Sequence, residues 1–257
     1  MLAIIPLITC LSFGALHLLG FWLIDQKAFK HDFSKFHLNM TNSVAGTGIV
    51  ILLFLNIPMS TKMIAVGWKL LLLTITQYIW KKKTVPLWLV TIISIYGMGV
   101  VILIASHHMV ITPKTIFVMT LAGLVLASAI FTMNMGHWYL NVPGLDIRHL
   151  KQATTVLLYL LGLRLLWNIA GFFVLKIPYL GETISLFEFL THIDGFLLTV
   201  GIFFGTALPF CLLYFVFGTL KVKSTQSATG ILYVIVACIL MGDLSYKYYW
   251  IKYGLLL

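Results

Sequence analysis

Long apolar runs recur along this chain, and they constrain its fold more than any other feature. A helix of about 20 residues rises about 1.5 Å per residue and so crosses a hydrocarbon core about 30 Å thick. Only 9% of the residues are charged and 61% are hydrophobic, whereas a soluble domain is about 25% charged. Backbone polar groups in lipid must be satisfied within their own segment, so the runs predict helices. We therefore predict an all-α, polytopic transmembrane helical bundle, with residues 1–257 forming a single integral membrane domain.

Eight spanning helices account for these runs. The second and third are short and are separated by only a few residues, so a re-entrant pair is the alternative there. Residues 25–42, in which Phe29, Phe33 and Phe36 alternate with charged residues, are predicted to be a loop along the inner headgroups. The predicted helices lie at 3–24, 43–59, 63–80, 86–106, 115–138, 153–175, 191–218 and 228–252.

The distribution of basic residues predicts the orientation of the bundle. Loops on the cytoplasmic side of membrane proteins carry an excess of lysine and arginine. With both termini outside, the inner loops hold Lys27, Lys30, Lys35, Lys81, Lys82, Lys83, Arg148, Lys151, Lys221 and Lys223. The outer loops and tail then hold Lys62, Lys114, Lys176, Lys247 and Lys252. This bias predicts an N-out, C-out protein with an even number of helices.

Several classes of function have no support in the sequence. The 17 basic residues are scattered over loops and form no basic-aromatic module, so nucleic acid is not expected as a partner. Cys10, Cys211 and Cys238 lie far apart in apolar runs, which argues against disulfides and iron–sulfur clusters. No Walker loop, Rossmann glycine pattern, HExxH motif or nucleophile elbow is present. Hydrolase and nucleotide-driven activities are therefore unsupported.

Histidines near both predicted membrane faces are the first group that could carry chemistry. Neutral imidazole is a good axial ligand for haem iron, and two helices can each present one ring. The inner pair would be His17 and His137, and the outer pair would be His192 with His107 or His108. The alternative is that each is a hydrogen-bonded packing or interfacial residue. Three further histidines are predicted to be solvated in inner loops, namely His31, His37 and His149.

Buried charges are the second such group, because an ionisable side chain in a membrane costs at least about 2.5–3.5 kcal/mol. Arg164, near the middle of the sixth helix, is predicted to face protein or water, as an interhelical clamp or an anion ligand. A quinol headgroup needs a proton acceptor and hydrogen-bond donors, which an outer set could supply. The alternative is a simple ion pair, because Asp243 and Lys247 are four residues apart on one helix face. The outer set comprises His192, Asp194, Lys69 and Asp243.

Two short segments carry a resemblance to known proteins. Gly136-His137-Trp138-Tyr139-Leu140 and Gln226-Ser227-Ala228-Thr229-Gly230 resemble stretches of uncharacterised polytopic membrane proteins of bacteria. The eight-helix count also resembles the quinol-interacting membrane subunits of the polysulfide-reductase type. That second resemblance implies a role in quinone interaction without haem.

These observations lead to one main functional hypothesis and two alternatives. We predict a membrane subunit of a bacterial redox complex in the cell inner membrane, which handles quinol or haem b electrons with peripheral partner subunits. Whether the chain is itself an enzyme is left open. The alternatives are a small-solute or ion transporter or channel, with Arg164, Lys69 and Asp243 along its path, and a structural or assembly subunit.

Overall fold

Eight spanning helices dominate the computed structural model, which describes residues 2–29, 31–82, 84–142 and 144–257. Lys30, Lys83 and Pro143, which the sequence assigns to loops, lie outside these ranges. The described helices that are long and apolar enough to span are α1 Ile4–Leu23, α2 His31–Phe54, α3 Met59–Trp80, α4 Leu87–Ser106, α5 Pro113–Asn141, α6 Arg148–Val174, α7 Ile193–Lys221 and α8 Thr225–Tyr253. The prediction of a multi-pass, all-α membrane bundle with eight helices is confirmed.

The two ends of the bundle are named here after the predicted orientation. The inner end carries the α1–α2, α3–α4, α5–α6 and α7–α8 connections. The outer end carries the α2–α3, α4–α5 and α6–α7 connections and both termini. At the outer end, strands β1 Lys176–Tyr179 and β2 Glu182–Ser185 form an antiparallel hairpin. Leu180 and Gly181 both have positive φ, as a two-residue type I′ turn requires. A short helix, Leu186–Thr191, leads from the hairpin into α7.

The start of α2 differs from the prediction, because this helix begins at His31 and not at 43. The predicted headgroup loop at 25–42 is therefore wrong for residues 31–42. Phe33, His37, Thr41 and Ala45 recur every four residues and are all buried, as one face of a helix requires. Charged residues on the other face lower the average hydropathy and conceal the helix. Since α2 has 24 residues and α3 has 22, each is long enough to span, and the re-entrant pair is not observed.

The two halves of the chain have the same pattern of helix neighbours. In the first half α1 packs against α2 and α4, and α3 packs against α2 and α4. In the second half α5 packs against α6 and α8, and α7 packs against α6 and α8. Contacts between α1 and α5 join the halves. This adjacency gives the bundle a four-plus-four arrangement of helices.

A close approach of α7 and α8 fixes the geometry of the second half. Gly201 and Gly205, the GxxxG pair of α7, lie directly against α8, and a Cβ on Gly205 would stand 2.6 Å from the Cα of Gly242. Small residues allow such backbone contact between helices in lipid. A π-helical turn at Phe203–Ala207 interrupts α7 at the same level. The contact sets Asp243, the residue after Gly242, beside this turn.

Candidate functional site

Two histidines form a buried dyad between α1 and α2. His17 lies where α1 changes from α-helical to 3₁₀-helical geometry. Its Nε2 lies 2.8 Å from Nδ1 of His37, and its Nδ1 lies 3.3 Å from the carbonyl oxygen of Ala127 on α5. Both rings are buried. The dyad therefore links α1, α2 and α5 by hydrogen bonds within the bundle.

The hydrogen bonds determine the proton positions in the neutral dyad. A carbonyl oxygen only accepts, so Nδ1 of His17 carries the hydrogen and donates it to Ala127. Nε2 of His17 then accepts, so Nδ1 of His37 is the donor. This leaves Nε2 of His37 as a buried acceptor that has no hydrogen-bond partner among the described residues.

An aromatic cage surrounds the dyad. Phe13 stacks on His17, while Phe21, Phe33 and Phe131 surround His37, with ring centroids between 4.4 and 5.8 Å apart. Gly20 leaves space for the Phe131 ring, which any Cβ at that position would overlap. The cage keeps both imidazoles in an apolar setting, where an unmade hydrogen bond is expensive.

One edge of the dyad borders an apolar cleft. A cavity of about 360 Å³ lies between α1, α5 and α6, with His17, Gly20, Leu124, Ser128, Val156 and Leu160 among its lining residues. The hydroxyl of Ser128 is buried and has no partner in the described part of the chain. The cleft thus combines apolar walls with two hydrogen-bonding groups, on His17 and Ser128.

A second buried polar group, the charge cluster, links α1, α6 and α8. The Asp243 carboxylate forms an ion pair with Lys247. The Thr9 hydroxyl donates to Asp243 over 3.1 Å and accepts from Lys247 over 2.9 Å. The predicted pairing of Asp243 with Lys247 is confirmed. The charge count assigned Lys247 to the outer loops and tail, which is wrong because its side chain is buried.

Arg164 completes the charge cluster from α6. Its side chain is buried, as predicted, and its guanidinium carbon lies 4.2 Å from the ring centroid of Tyr246. Asn168 donates to the Tyr246 hydroxyl over 2.6 Å, and the Thr206 hydroxyl lies 2.9 Å from it. Thr206 belongs to the π-helical turn of α7, so that turn holds the ring on which Arg164 lies.

The predicted inner haem pair is not brought together. Nδ1 of His137 contacts the hydroxyl of Tyr233 at 3.3 Å, and the side chain is exposed on α5. His137 lies ten residues along α5 from Ala127, which is about 15 Å of helix. His17 instead has both nitrogens in hydrogen bonds with other partners. Residue spacing along the chain could not show which helix face each ring occupies.

The predicted outer groups are also separated. Nε2 of His107 lies 2.8 Å from the Thr61 hydroxyl, and His108 is exposed beside it. His192 lies against Tyr179, with ring centroids 5.1 Å apart. Lys69 donates to Asn42 over 2.6 Å between α3 and α2. These residues do not form one quinol site with Asp243, because they belong to different pairs of elements.

Asp194 lies in the first turn of α7, beside the outer hairpin. Its carboxylate accepts a hydrogen bond from the Tyr179 hydroxyl over 2.8 Å, and this bond raises the pKa of Tyr179. Its backbone carbonyl accepts from the Tyr249 hydroxyl of α8. The contacts of Asp194 therefore tie the hairpin to α7 and α8.

Two of the three histidines predicted to be solvated are buried. His37 belongs to the dyad, and His149 lies against Phe29, with ring centroids 5.4 Å apart. Only His31 stays near solvent, with its Nε2 2.9 Å from the carbonyl oxygen of Trp80. Sequence reasoning missed His37 because residues 31–42 were assigned to a loop. The four-residue spacing from Phe33 to His37 and Thr41 was the available signal.

Among the described residues, no group of three or more His, Cys, Asp or Glu side chains could hold a metal ion. No family model, no curated protein and no solved structure matches the chain.

Proposed function

We propose that this protein binds a lipid-soluble quinone in the cleft between α1, α5 and α6, as the membrane subunit of a bacterial inner-membrane redox complex. The observation that carries the proposal is the apolar cleft of about 360 Å³ that has His17, one member of the histidine dyad, in its wall. Small-molecule sites commonly enclose about 300–1,000 Å³ and combine apolar walls with a few polar groups. A quinone ring requires this combination.

The dyad supplies the hydrogen bond and the proton that a quinone needs. A quinone carbonyl oxygen accepts from Nδ1 of His17, in place of or beside the Ala127 carbonyl, and the free Ser128 hydroxyl offers a second donor. When the bound quinone gains two electrons it takes up two protons, one of them the Nδ1 proton of His17 and the other from water at the membrane surface. His37 replaces that proton through Nε2 of His17 and takes up another at its own Nε2. The electrons come from a redox centre of a partner subunit.

Hydrogen bonding favours quinone over haem as the ligand of His17. Both nitrogens of this ring already have partners, and iron ligation would require one of them to be given up. A quinone oxygen can share the Nδ1 hydrogen with Ala127 without moving the ring. An absorption spectrum of the purified protein, with and without its partner subunits, tests the haem prediction directly through the bands of reduced haem b.

Titration with decylubiquinone or a short-chain menaquinone tests the proposal. Quinones quench indole fluorescence, and Trp22 lies in the cleft wall. Saturable quenching is expected for the wild-type protein in nanodiscs, and Trp22→Phe should remove much of it. Val156→Trp should abolish binding because the new side chain occupies the cleft. Leu163→Trp is the matched control, since Leu163 is exposed on the same helix and lies outside the cleft lining.

The histidine contribution is measured in the same assay. His17→Leu should weaken binding about fivefold, because one hydrogen bond contributes about 1 kcal/mol net. Absence of saturable binding in the wild-type protein would contradict the proposal. Equal binding by Val156→Trp and the wild-type protein would place the quinone elsewhere.

A further inference from the structure

The charge cluster contains more positive than negative side chains. Arg164, Asp243 and Lys247 are 3%, 5% and 6% exposed, respectively. Asp243 and Lys247 form an ion pair with each other. Arg164 is therefore the uncompensated cation of a cluster that lies well inside the bundle.

The carboxylate nearest to Arg164 in the charge cluster, that of Asp243, is already paired with Lys247. Its guanidinium lies over the Tyr246 ring, and Nη1 is buried without a hydrogen-bond partner among the described residues. The face of an aromatic ring attracts the positive charge of a guanidinium. The five N–H groups of the guanidinium lie in its own plane, however, and a ring stacked on that plane accepts no hydrogen bond from them. A buried guanidinium normally has a carboxylate or another acceptor beside it. Its free donor group thus points to a ligand that carries negative charge.

Space for such a ligand adjoins the charge cluster. A cavity with about 20 Å³ of space for a sphere the size of water is lined by Arg164, Asp243 and Lys247. Met119 and Trp250 form its apolar side. One water needs about 10–15 Å³ by this measure, so a single small ion fits. A second cavity, of about 10 Å³, is lined by Arg164, Asp243 and Gly205. It is at the lower limit for one water.

We infer that this chain binds a small monovalent anion between α5, α6 and α8. Nη1 of Arg164 donates to the anion in the larger cavity, whose wall also holds the Asp243–Lys247 ion pair. A water in the smaller cavity donates to Oδ1 of Asp243, which also lacks a partner within the described ranges. The surplus positive charge selects an anion over a cation, and the cavity volume excludes a quinone ring or a lipid headgroup. This anion site does not depend on the proposed quinone cleft.

Bromide is the probe for the test. The melting temperature of the purified protein in detergent should rise and saturate with bromide, at an ionic strength held constant with gluconate, which is too large for the cavity. Arg164→Met should abolish the saturable rise. Lys69→Met is the matched control, because Lys69 also lies within a spanning helix but donates to Asn42 away from the cavity. It should keep the wild-type response.

Two further variants, Arg164→Lys and His17→Leu, test the anion site even if Arg164→Met does not fold. Arg164→Lys retains the charge but loses the planar fork of donors, so its apparent affinity for bromide should fall about tenfold or more. If Arg164→Met does not fold, unchanged affinity in Arg164→Lys would overturn the inference. A wild-type melting temperature that shows no saturable bromide dependence would also overturn it. His17→Leu should respond as the wild type does, which separates this site from the quinone cleft.

Discussion

The histidine dyad and the charge cluster are two ways to bury polar groups in one bundle. The neutral imidazoles of the dyad share a chain of hydrogen bonds that begins at the Ala127 carbonyl and is enclosed by phenylalanine rings. The charge cluster instead holds three ionisable side chains: Asp243 and Lys247 are joined by an ion pair and the Thr9 hydroxyl, and Arg164 lies over the Tyr246 ring. The dyad needs only hydrogen-bond partners, whereas the charge cluster also needs charge balance. The difference predicts how each responds to the loss of one member.

The largest effect is expected from Asp243→Asn in the charge cluster. This substitution removes the only carboxylate among its side chains and leaves the cations of Lys247 and Arg164 buried together. Removing one partner of a buried ion pair costs about 3–5 kcal/mol. Unfolding in mixed micelles of dodecyl sulfate should show this loss in the free energy of unfolding.

A double variant tests the cause of that loss. Asp243→Asn combined with Lys247→Met removes both members of the ion pair and leaves only Arg164 charged. Most of the lost stability should return, because apolar replacements of a whole buried pair are often neutral. If the double variant is as unstable as Asp243→Asn alone, the loss comes from packing and not from charge.

A smaller effect is expected from His37→Leu in the dyad. The leucine fills a similar volume within the aromatic cage but leaves Nε2 of His17 without its donor. An unsatisfied buried polar group costs about 1–3 kcal/mol. The wild type, His17→Leu, His37→Leu and the double variant form a double-mutant cycle, in which the free energy of unfolding of each protein is measured. Strictly additive losses would show that the two rings are not coupled.

The two sites also differ in how far the sequence predicted them. Arg164, Asp243 and Lys247 were identified because charges in apolar helices are rare and expensive. Their arrangement was only partly predicted, since the i,i+4 pair is local, whereas the contacts with Thr9 and Tyr246 depend on helix packing. His37 was missed, because the charged face of α2 made its first three turns look like a loop. The number of helices was predictable from apolar length alone, but their faces were not.

Arg164→Met should change the free energy of unfolding less than Asp243→Asn or His37→Leu does. Arg164 has no ion-pair partner among the described side chains, so its removal leaves no opposite charge unpaired. The lost contact with Tyr246 and the relieved burial of a cation oppose each other, and the net change should stay below about 1 kcal/mol in bromide-free and chloride-free buffer. A loss as large as that of Asp243→Asn would show that Arg164 balances Asp243 directly.

The smallest effect is expected from His137→Ala, which contrasts with any substitution in the dyad. His137 is exposed on α5, and the one described hydrogen bond of its side chain, to the Tyr233 hydroxyl, is 3.3 Å long. Substitutions at such positions usually change stability by less than about 0.5 kcal/mol. Quinone binding should be unchanged as well, because His137 does not line the cleft. The same variant also tests the haem hypothesis, in which His137 and His17 ligate one iron. If His137→Ala abolishes a low-spin haem signal in the purified complex, the two histidines act together, and α5 must then present His137 to a site that its present neighbours do not form.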